Sequence, residues 1–319
     1  MTSVDATAAA ATRDRLARTR AEVGHRETLK RAALLSPAML IIVIFGILPL
    51  FIVLFYSFLE AGAYGGVEWK FSVDAYVTFL FNRDLFDPSI LNFTSSYLQI
   101  FARSFIVAGV ATVICLLIGF PAAYFMATRP PKTRHLWLFL VTLPFWTNLL
   151  VRSFAMMLII RDQGLINGFL MWTGIIQQPI VMLYTPFAVA LGLLYAFLPF
   201  MVLPLYASLE KIDFRLVEAG FDLYATRGQV LRRIIIPLAK PGIIAGCILV
   251  FIPGLGAYIT PALLGGGRDL MIGNLIAQQF GTGRNWPFGS AMALILMAVV
   301  LIFLMIYASV TGRQKVRHG

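Results

Sequence analysis

The residues best suited to chemistry form a charged segment, 210–240, within a sequence that is otherwise strongly apolar. This segment holds four acidic and six basic residues, whereas charged residues make up only 13% of the whole chain. Glu218 and Asp222 are four positions apart, so a helix would place both carboxylates on one face. Val217 and Leu223 give that helix an apolar component. These residue types are suited to binding another macromolecule rather than to catalysis.

No catalytic constellation accompanies this segment. The chain has no Gly-Lys pair, so the Walker phosphate-binding loop is absent, and we expect no enzymatic activity from this chain. Its three histidines and two cysteines lack the spacing of metal ligands, and we expect neither a metal nor another cofactor on it. Cys115 and Cys247 lie in apolar runs and are interpreted as small packing residues.

The distribution of apolar residues indicates the fold class. Hydrophobic residues are 59% of the 319 residues, and long uncharged runs recur along the chain. About 20 apolar residues cross a bilayer as a helix, which satisfies its own backbone hydrogen bonds there. The sequence therefore predicts an all-α integral membrane protein with six transmembrane helices. The predicted spans are approximately 34–59, 103–128, 135–160, 184–209, 241–264 and 288–311.

The rest of the chain is assigned to tails and loops. These are a cytoplasmic tail at 1–31, a transmembrane domain at 32–312 that includes an extracytoplasmic segment 60–98 and a cytoplasmic loop 210–240, and a cytoplasmic tail at 313–319. Pro237 and Pro241 are expected to make a turn into the fifth span, because proline resists helix continuation.

Both termini are predicted to be cytoplasmic. In this orientation 19 of the 26 Lys and Arg residues fall in cytoplasmic segments, in agreement with the positive-inside rule. A seventh span at 164–183 would move the basic segment 210–240 outside, so we expect 164–183 to lie outside or to re-enter partway. The net charge is +11, but the bases lie at span ends rather than on a folded face, so no nucleic-acid partner is expected.

The charged segment resembles the cytoplasmic loop of permease subunits of ATP-binding cassette importers. That loop begins Glu-Ala-Ala, has a glycine a few residues later, and ends Ile-x-x-Pro followed by Pro-Gly. The corresponding residues here are Glu218-Ala219, Asp222-Leu223, Ile234-Ile235-Ile236-Pro237 and Pro241-Gly242. Gly220 replaces the second alanine. Tyr224 stands where glycine is usual, although tyrosine takes a positive φ only at a cost.

This resemblance implies that roughly 216–229 is the coupling helix, which sits in a groove of a separate ATPase. The residues assigned to the contact are Glu218, Ala219, Gly220, Asp222, Leu223, Tyr224 and Ala225. The resemblance also implies a type I importer transmembrane fold and a second homologous permease subunit. Two ATP-binding subunits would hold ATP and Mg, and an extracytoplasmic solute-binding protein would deliver the solute. A surface helix without a partner is the alternative that the motif alone leaves open.

Further motifs resemble the spermidine/putrescine branch of these permeases. They are GFPAAY at 119–124, LPFWTNLLVR at 143–152, GGG at 265–267 and NWPFG at 285–289. The implied function is ATP-driven uptake of polyamines across the bacterial inner membrane, with this chain forming half of the pathway. The alternatives are an importer subunit for another small solute, such as an opine, an amino acid derivative or a metal complex, and an autonomous channel or secondary transporter.

Six residues near helix breaks or span ends are candidates for the substrate pathway: Trp146, Asn148, Arg152, Tyr195, Tyr258 and Trp286. Aromatic faces attract organic cations by roughly 0.5–2 kcal/mol per contact. No Asp or Glu falls in a predicted span, which argues against a proton-coupled carrier and predicts weak binding in the membrane. The aromatic residues could equally belong to the interfacial belt, in contact with membrane lipid. Arg152 could pair with an acid of a partner subunit, line the path or snorkel to the outer interface.

Two glycines in the fifth predicted span are a packing signal. Gly242 and Gly246 are four residues apart, so a helix places both on one face and lets a neighbouring backbone approach closely. The spacing predicts helix packing, with the second permease subunit as a candidate neighbour.

Overall fold

The computed structural model describes residues 35–83, 91–267 and 270–316, so the predicted tail at 1–31 lies outside the described residues. The helices are α1 (Leu35–Tyr56), α2 (Asp74–Leu80), α3 (Ser96–Ala127), α4 (Pro131–Thr142), α5 (Leu149–Ile160), α6 (Leu165–Trp172), α7 (Pro186–Leu209), α8 (Arg215–Asp222), α9 (Arg227–Gly256), α10 (Ile259–Leu264), α11 (Ile272–Phe280) and α12 (Trp286–Val316). A 3-10 turn at Leu143–Trp146 follows α4.

Four short strands lie between α1 and α3, so the fold is mostly helical rather than purely so. They are β1 (Leu59–Ala61), β2 (Val67–Phe71), β3 (Phe81–Arg83) and β4 (Leu91–Phe93). β1 pairs antiparallel with β2, and β3 pairs antiparallel with β4. The predicted extracytoplasmic segment 60–98 therefore contains two small sheets and the start of α3.

In the part of the chain that the structure describes, five helices are long and apolar enough to cross a membrane: α1, α3, α7, α9 and α12. A sixth span results if Pro131–Trp146 and Leu149–Trp172 are counted together, but these two helical stretches are bent by 92°. The sequence places Pro144 in the 3-10 turn, and Asn148 starts a new helix by accepting a hydrogen bond from Leu150 N (2.8 Å). The predicted span 135–160 is thus a broken helix rather than a continuous one.

The contacts divide the chain into two compact units at Tyr56. In the first unit the described element is α1, an apolar helix with a π-helical turn at Val43–Ile47. In the second unit α3, α7 and α9 share a core of buried apolar residues. The fully buried members of this core include Cys115, Met201, Leu205 and Leu209.

The close packing of α7 and α9 depends on the two glycines noted in the sequence. A Cβ added to Gly242 would lie 2.5 Å from Ser208 Cβ and 2.6 Å from Pro204 O. A Cβ on Gly246 would lie 2.7 Å from Met201 Sδ and 3.1 Å from Met201 O. The glycine face therefore packs against α7 of the same chain, because only hydrogen fits between the two backbones.

α9 is continuous through Pro237 and Pro241, so the turn expected at these prolines is not found. A π-helical turn at Leu231–Ile235 precedes Pro237, and Ile236 N donates to Leu231 O within it. The wider turn accommodates the proline ring and the missing N–H, which would break a regular α-helix. The segment after α8 is consequently joined to the membrane helix without a flexible link.

Candidate functional site

The inner face of α8 is formed by residues small or apolar enough to pack against α9. Val217 and Gly220 are buried, whereas their neighbours in α8 are exposed. A Cβ on Gly220 would lie 2.9 Å from Ile234 Cδ1 and 3.4 Å from Val230 Cγ2. Glycine at this position therefore lets α8 lie directly on the first turns of α9.

Both ends of α8 are fixed by hydrogen bonds. Asp213 Oδ1 accepts from Arg215 N (3.0 Å) at the start of the helix. At its end, Ala225 N donates to Gly220 O (3.1 Å) and Tyr224 N donates to Phe221 O (2.9 Å). These two bonds form a Schellman motif, which requires a left-handed residue after the helix.

Tyr224 is that left-handed residue, with φ of +56°. The turn that glycine would be expected to make is therefore made by tyrosine. A non-glycine residue in this region costs about 1–2 kcal/mol, because Cβ approaches the following carbonyl oxygen. The Tyr224 side chain is 96% exposed, so the cost is not offset by burial in this chain.

A capping box that the sequence reasoning missed starts α9. Thr226 Oγ1 accepts from Gln229 N (3.4 Å), and Gln229 Oε1 accepts from Thr226 N (2.8 Å). The signal was present in the sequence as Thr-x-x-Gln after the turn. The connection from α8 to α9 is thereby fixed on both sides of Tyr224.

The exposed side of α8 and its turn form one continuous patch, here called the α8 surface: Glu218, Ala219, Phe221, Asp222, Leu223 and Tyr224. Leu223 is 82% exposed and adjoins Tyr224, which is 96% exposed, so the two form a contiguous exposed apolar patch. Within the described residues, neither Glu218 nor Asp222 has an ion pair or a hydrogen-bonded side-chain partner. Exposed apolar groups flanked by two unpaired carboxylates are typical of a binding surface.

The α8 surface differs from the predicted contact set in three residues. Gly220 is buried and Ala225 is half-buried, so these two shape the patch from beneath. Phe221, which was not singled out in the sequence, is 45% exposed and belongs to the patch. Its position three residues after Glu218 places it on an adjacent part of the helix circumference.

An ion pair connects the start of α4 to the end of α7. Arg134 Nη1 lies 3.1 Å from Glu210 Oε1. Arg134 Nε also donates to Arg129 O (2.6 Å), and the guanidinium of Arg129 lies 4.1 Å above the Phe125 ring. The ends of α3, α4 and α7 are therefore linked next to the segment that carries α8.

The structure brings together part of the predicted substrate pathway at the start of α5. Asn148 caps this helix, and Arg152 lies one turn further on. The Arg152 guanidinium lies 5.8 Å from the centre of the Tyr195 ring on α7. Its Nε and Nη1 atoms are buried and have no hydrogen-bond partner in the described part of the chain. Arg152 as a whole is half-buried, with these two nitrogen atoms turned toward the protein.

The remaining pathway candidates lie elsewhere. Trp146 ends the 3-10 turn and is 81% exposed. Tyr258 lies in the break between α9 and α10 and lines a shallow apolar groove with α11 and α12. Trp286 begins α12. Among these candidates, the contact that the structure shows between different helices is that of Arg152 with Tyr195.

The β1–β2 hairpin presents exposed aromatic side chains. Tyr64 is 96% exposed and Phe71 is 80% exposed. Its tip is fixed to a distant loop, since Gly66 N donates to Arg284 O (2.7 Å). On β2 a hydrogen bond to Glu68, together with the charges of Glu68 and Glu60, raises the pKa of Lys70 above its usual range.

Comparison with known proteins identifies relatives along most of the chain. Residues 116–316 match the family described as "Binding-protein-dependent transport system inner membrane component". The spermidine/putrescine transport system permease protein PotB of Escherichia coli (strain K12) is 42% identical over 266 residues, which are 83% of this chain and 92% of that protein. The PotB protein of Haemophilus influenzae is 41% identical and covers 83% of this chain and 88% of its own length.

Solved structures support the same transmembrane fold. The crystal structure of a bacterial ABC transporter involved in the import of the acidic polysaccharide alginate matches with a TM-score of 0.66, covering 90% of this chain and 98% of the matched chain. The alginate transporter in complex with its alginate pentasaccharide-bound periplasmic protein matches with a TM-score of 0.67 and covers 90% and 96% of the two chains. Sequence identity is 17% in both cases, so these likenesses show the fold alone.

Proposed function

Because this chain belongs to the family of binding-protein-dependent transport system inner membrane components, we propose that it is a permease subunit of an ATP-driven uptake system for spermidine and putrescine. It is a multi-pass protein of the bacterial inner membrane. The observation that carries the substrate assignment is the 42% identity to the PotB proteins across 83% of the chain. The position of an exposed α8 between two membrane helices supports the assignment to ATP-driven transport.

The proposed topology has six spans and both termini in the cytoplasm. Five long apolar helices and the bent stretch from α4 to α6 account for the spans. The concentration of Lys and Arg around 210–240 and at the chain ends supports a cytoplasmic location for these segments. In this orientation α8 faces the cytoplasm and the β1–β2 hairpin faces outward.

The α8 surface is proposed to bind one of two ATPase subunits, which hold ATP and Mg. Leu223, Phe221 and Tyr224 would enter an apolar groove, and Glu218 and Asp222 would meet basic residues at its rim. No step of hydrolysis is assigned to this chain. Its residues convert movement of the ATPases into movement of the membrane helices.

The transmission path follows from the packing. Val217 and Gly220 hold α8 against α9, which continues without a break into the membrane. Gly242 and Gly246 hold α9 against α7. A displacement of α8 is therefore expected to move α9 and α7 together, because no flexible segment lies between the docking face and these helices.

The outward side is proposed to receive a solute-binding protein, and a second homologous permease subunit is proposed to complete the pathway. The exposed aromatic side chains of the β1–β2 hairpin are candidates for the binding-protein contact. Trp146, Tyr195, Tyr258 and Trp286 are candidates for contact with a polyamine along the path. Arg152 has buried nitrogen atoms without partners, so we assign it to an ion pair with an acid of the second permease subunit.

Uptake measurements test this function. Cells carrying the complete system should accumulate labelled putrescine, and unlabelled spermidine should compete, whereas an opine, an amino acid or a metal chelate should not. Lack of competition by polyamines would refute the substrate assignment. Transport by the purified chain alone in liposomes, without ATP, would instead indicate an autonomous channel or secondary transporter.

A charge reversal tests the coupling role of α8. Glu218→Lys should reduce ATPase stimulation by solute-loaded binding protein at least tenfold, because an unfavourable charge replaces a complementary one at the contact. Membrane insertion should be unchanged, since Glu218 is exposed and makes no described contact within the chain. Lys211→Glu, a charge reversal next to α8 but outside the α8 surface, is the matched control. Normal coupling in the Glu218 variant would exclude the proposed docking face.

A further inference from the structure

An apolar groove at membrane depth has no part in the function proposed above. It has a volume of about 930 Å³ and lies between α3, α9 and α12. Gly109 and Val113 line it from α3, Ile244 and Phe251 from α9, and Tyr307 from α12. A Cβ added to Gly109 would meet no atom within 4 Å, so the glycine contributes open space rather than a helix contact.

The length of the groove matches one leaflet of a bilayer. Lys240 and Phe251 both line it, and their separation of eleven residues corresponds to roughly 16 Å along a helix. The hydrocarbon core is about 30 Å thick, so a single leaflet contributes about half of that distance. Phe251 closes the upper end, because its ring lies 5.8 Å from Phe105 and 5.8 Å from Phe303.

The lower end of the groove is positively charged. Lys240 is the charged residue among those that line it, and no acidic side chain lines it with Lys240. Among the described residues no carboxylate pairs with Lys240, and it has no hydrogen-bonded side-chain partner. Tyr307 on α12 also lines the groove.

We propose that this groove binds one anionic phospholipid of the cytoplasmic leaflet. An acyl chain would lie along Ile244 toward Phe251, and the phosphate would pair with Lys240. The match of an apolar channel one leaflet long with an unpaired cation at its end favours a lipid over a polypeptide helix, which would leave Lys240 without a counter-charge. The assignment to the cytoplasmic leaflet rests on the topology given under the proposed function.

The direct test is lipid retention by the assembled importer, purified through a tag on this chain and examined by native mass spectrometry. Phosphatidylglycerol and phosphatidylethanolamine with identical acyl chains are added separately in detergent. We expect one phosphatidylglycerol to remain per copy of this chain, and its affinity to exceed that of phosphatidylethanolamine about fivefold, which is the contribution of one basic residue near anionic lipid.

Three variants at the groove and two matched controls outside it locate the lipid. Lys240→Ala should remove the fivefold preference, and Lys240→Arg should retain it. Gly109→Leu should exclude the acyl chain from the groove while leaving the charge in place. Arg232→Ala removes a cation from the same helix at a position that does not line the groove. Gly168→Leu adds the same side chain at another glycine with open space around it. Both controls should retain the lipid.

A crosslinking measurement shows whether the groove holds a lipid or a polypeptide while Lys240 and Gly109 are kept unchanged. Benzoylphenylalanine introduced at Val113 should crosslink to lipid. A crosslink to a polypeptide, whether this chain or a partner, would overturn the proposal, as would equal retention of the two lipids or an unchanged preference in Lys240→Ala. Because the readout is bound lipid, its failure leaves the uptake assignment intact, and a failed uptake assay does not affect the lipid measurement.

Discussion

Two helices of this protein, α8 and α9, are held in place by opposite means. α9 packs against α7 through Gly242 and Gly246, where an added methyl group would collide with backbone atoms. α8 buries only Val217 and Gly220 and is otherwise fixed at its ends by backbone and capping hydrogen bonds.

The difference matches the two proposed roles, in which α9 transmits movement and α8 recognises the ATPase. A helix that must move with its neighbour needs a tightly packed contact. Small residues provide such a contact because they let two backbones approach closely. A helix that must bind another protein needs its large and charged side chains free, so its own position has to come from its caps. The following predictions test this division, from the largest expected effect to the smallest.

Gly242→Ala should destabilise the protein by about 1–3 kcal/mol, because the new methyl group overlaps Ser208 Cβ and Pro204 O and forces α7 and α9 apart. Thermal unfolding of the purified complex in detergent measures the loss. The control is Gly109→Ala, which meets open space within a helix and should be neutral or stabilising by up to about 1 kcal/mol. Equal effects of the two changes would contradict the steric account of the α7–α9 contact.

Leu223→Asp should leave stability within about 0.5 kcal/mol of the parent protein, because the side chain is 82% exposed. Binding of the ATPase subunit should weaken at least tenfold, since the apolar contact is replaced by a carboxylate. Surface plasmon resonance with the ATPase subunit immobilised measures the affinity. A loss of stability equal to that of Gly242→Ala would show that Leu223 belongs to the core instead.

Thr226→Ala should destabilise the start of α9 by about 1 kcal/mol, because Gln229 N loses its capping acceptor. Hydrogen exchange of the amides around Gln229 should accelerate about fivefold, while exchange within the α7–α9 contact stays unchanged. Thr226→Ser retains the hydroxyl group and should behave like the parent. Acceleration throughout α9 would mean that the cap and the glycine contact are not independent.

Tyr224→Gly should stabilise the turn after α8 by up to about 1 kcal/mol, because glycine takes the observed positive φ at no steric cost. Tyr224→Ala removes the same ring but keeps the cost, so the difference between the two variants isolates the backbone effect. Exchange protection of Ala225 N, which donates to Gly220 O, is the measurement. If both variants lose ATPase affinity equally, the ring itself serves in docking.

Much of the architecture followed from residue patterns. Long uncharged runs predicted the membrane helices, and the position of α8 followed from charges that a bilayer does not tolerate. The turn predicted at Pro237 and Pro241 was wrong, because a π-helical turn lets α9 continue through both prolines. Such a turn depends on packing around the helix, which local propensity does not contain.

The candidate site was predicted in part. Glu218 and Asp222 were recognisable from their four-residue spacing, Leu223 followed from the resemblance to the permease loop, and all three residues are exposed. Phe221 was missed, since an apolar residue in an apolar chain gives no signal until its exposure is known. The proximity of Arg152 to Tyr195 joins two helices distant in sequence and could not be read from either one.

By itself the sequence determined that this chain crosses the membrane and carries a charged segment between two apolar helices, because hydropathy and charge act locally and are counted along the chain. Only the tertiary structure decided which neighbour the glycine face meets, which carboxylates stay unpaired, that Tyr224 adopts a positive φ, and that a groove with Lys240 at its end remains between α3, α9 and α12. Those properties depend on distances between segments remote in sequence, and packing alone sets such distances.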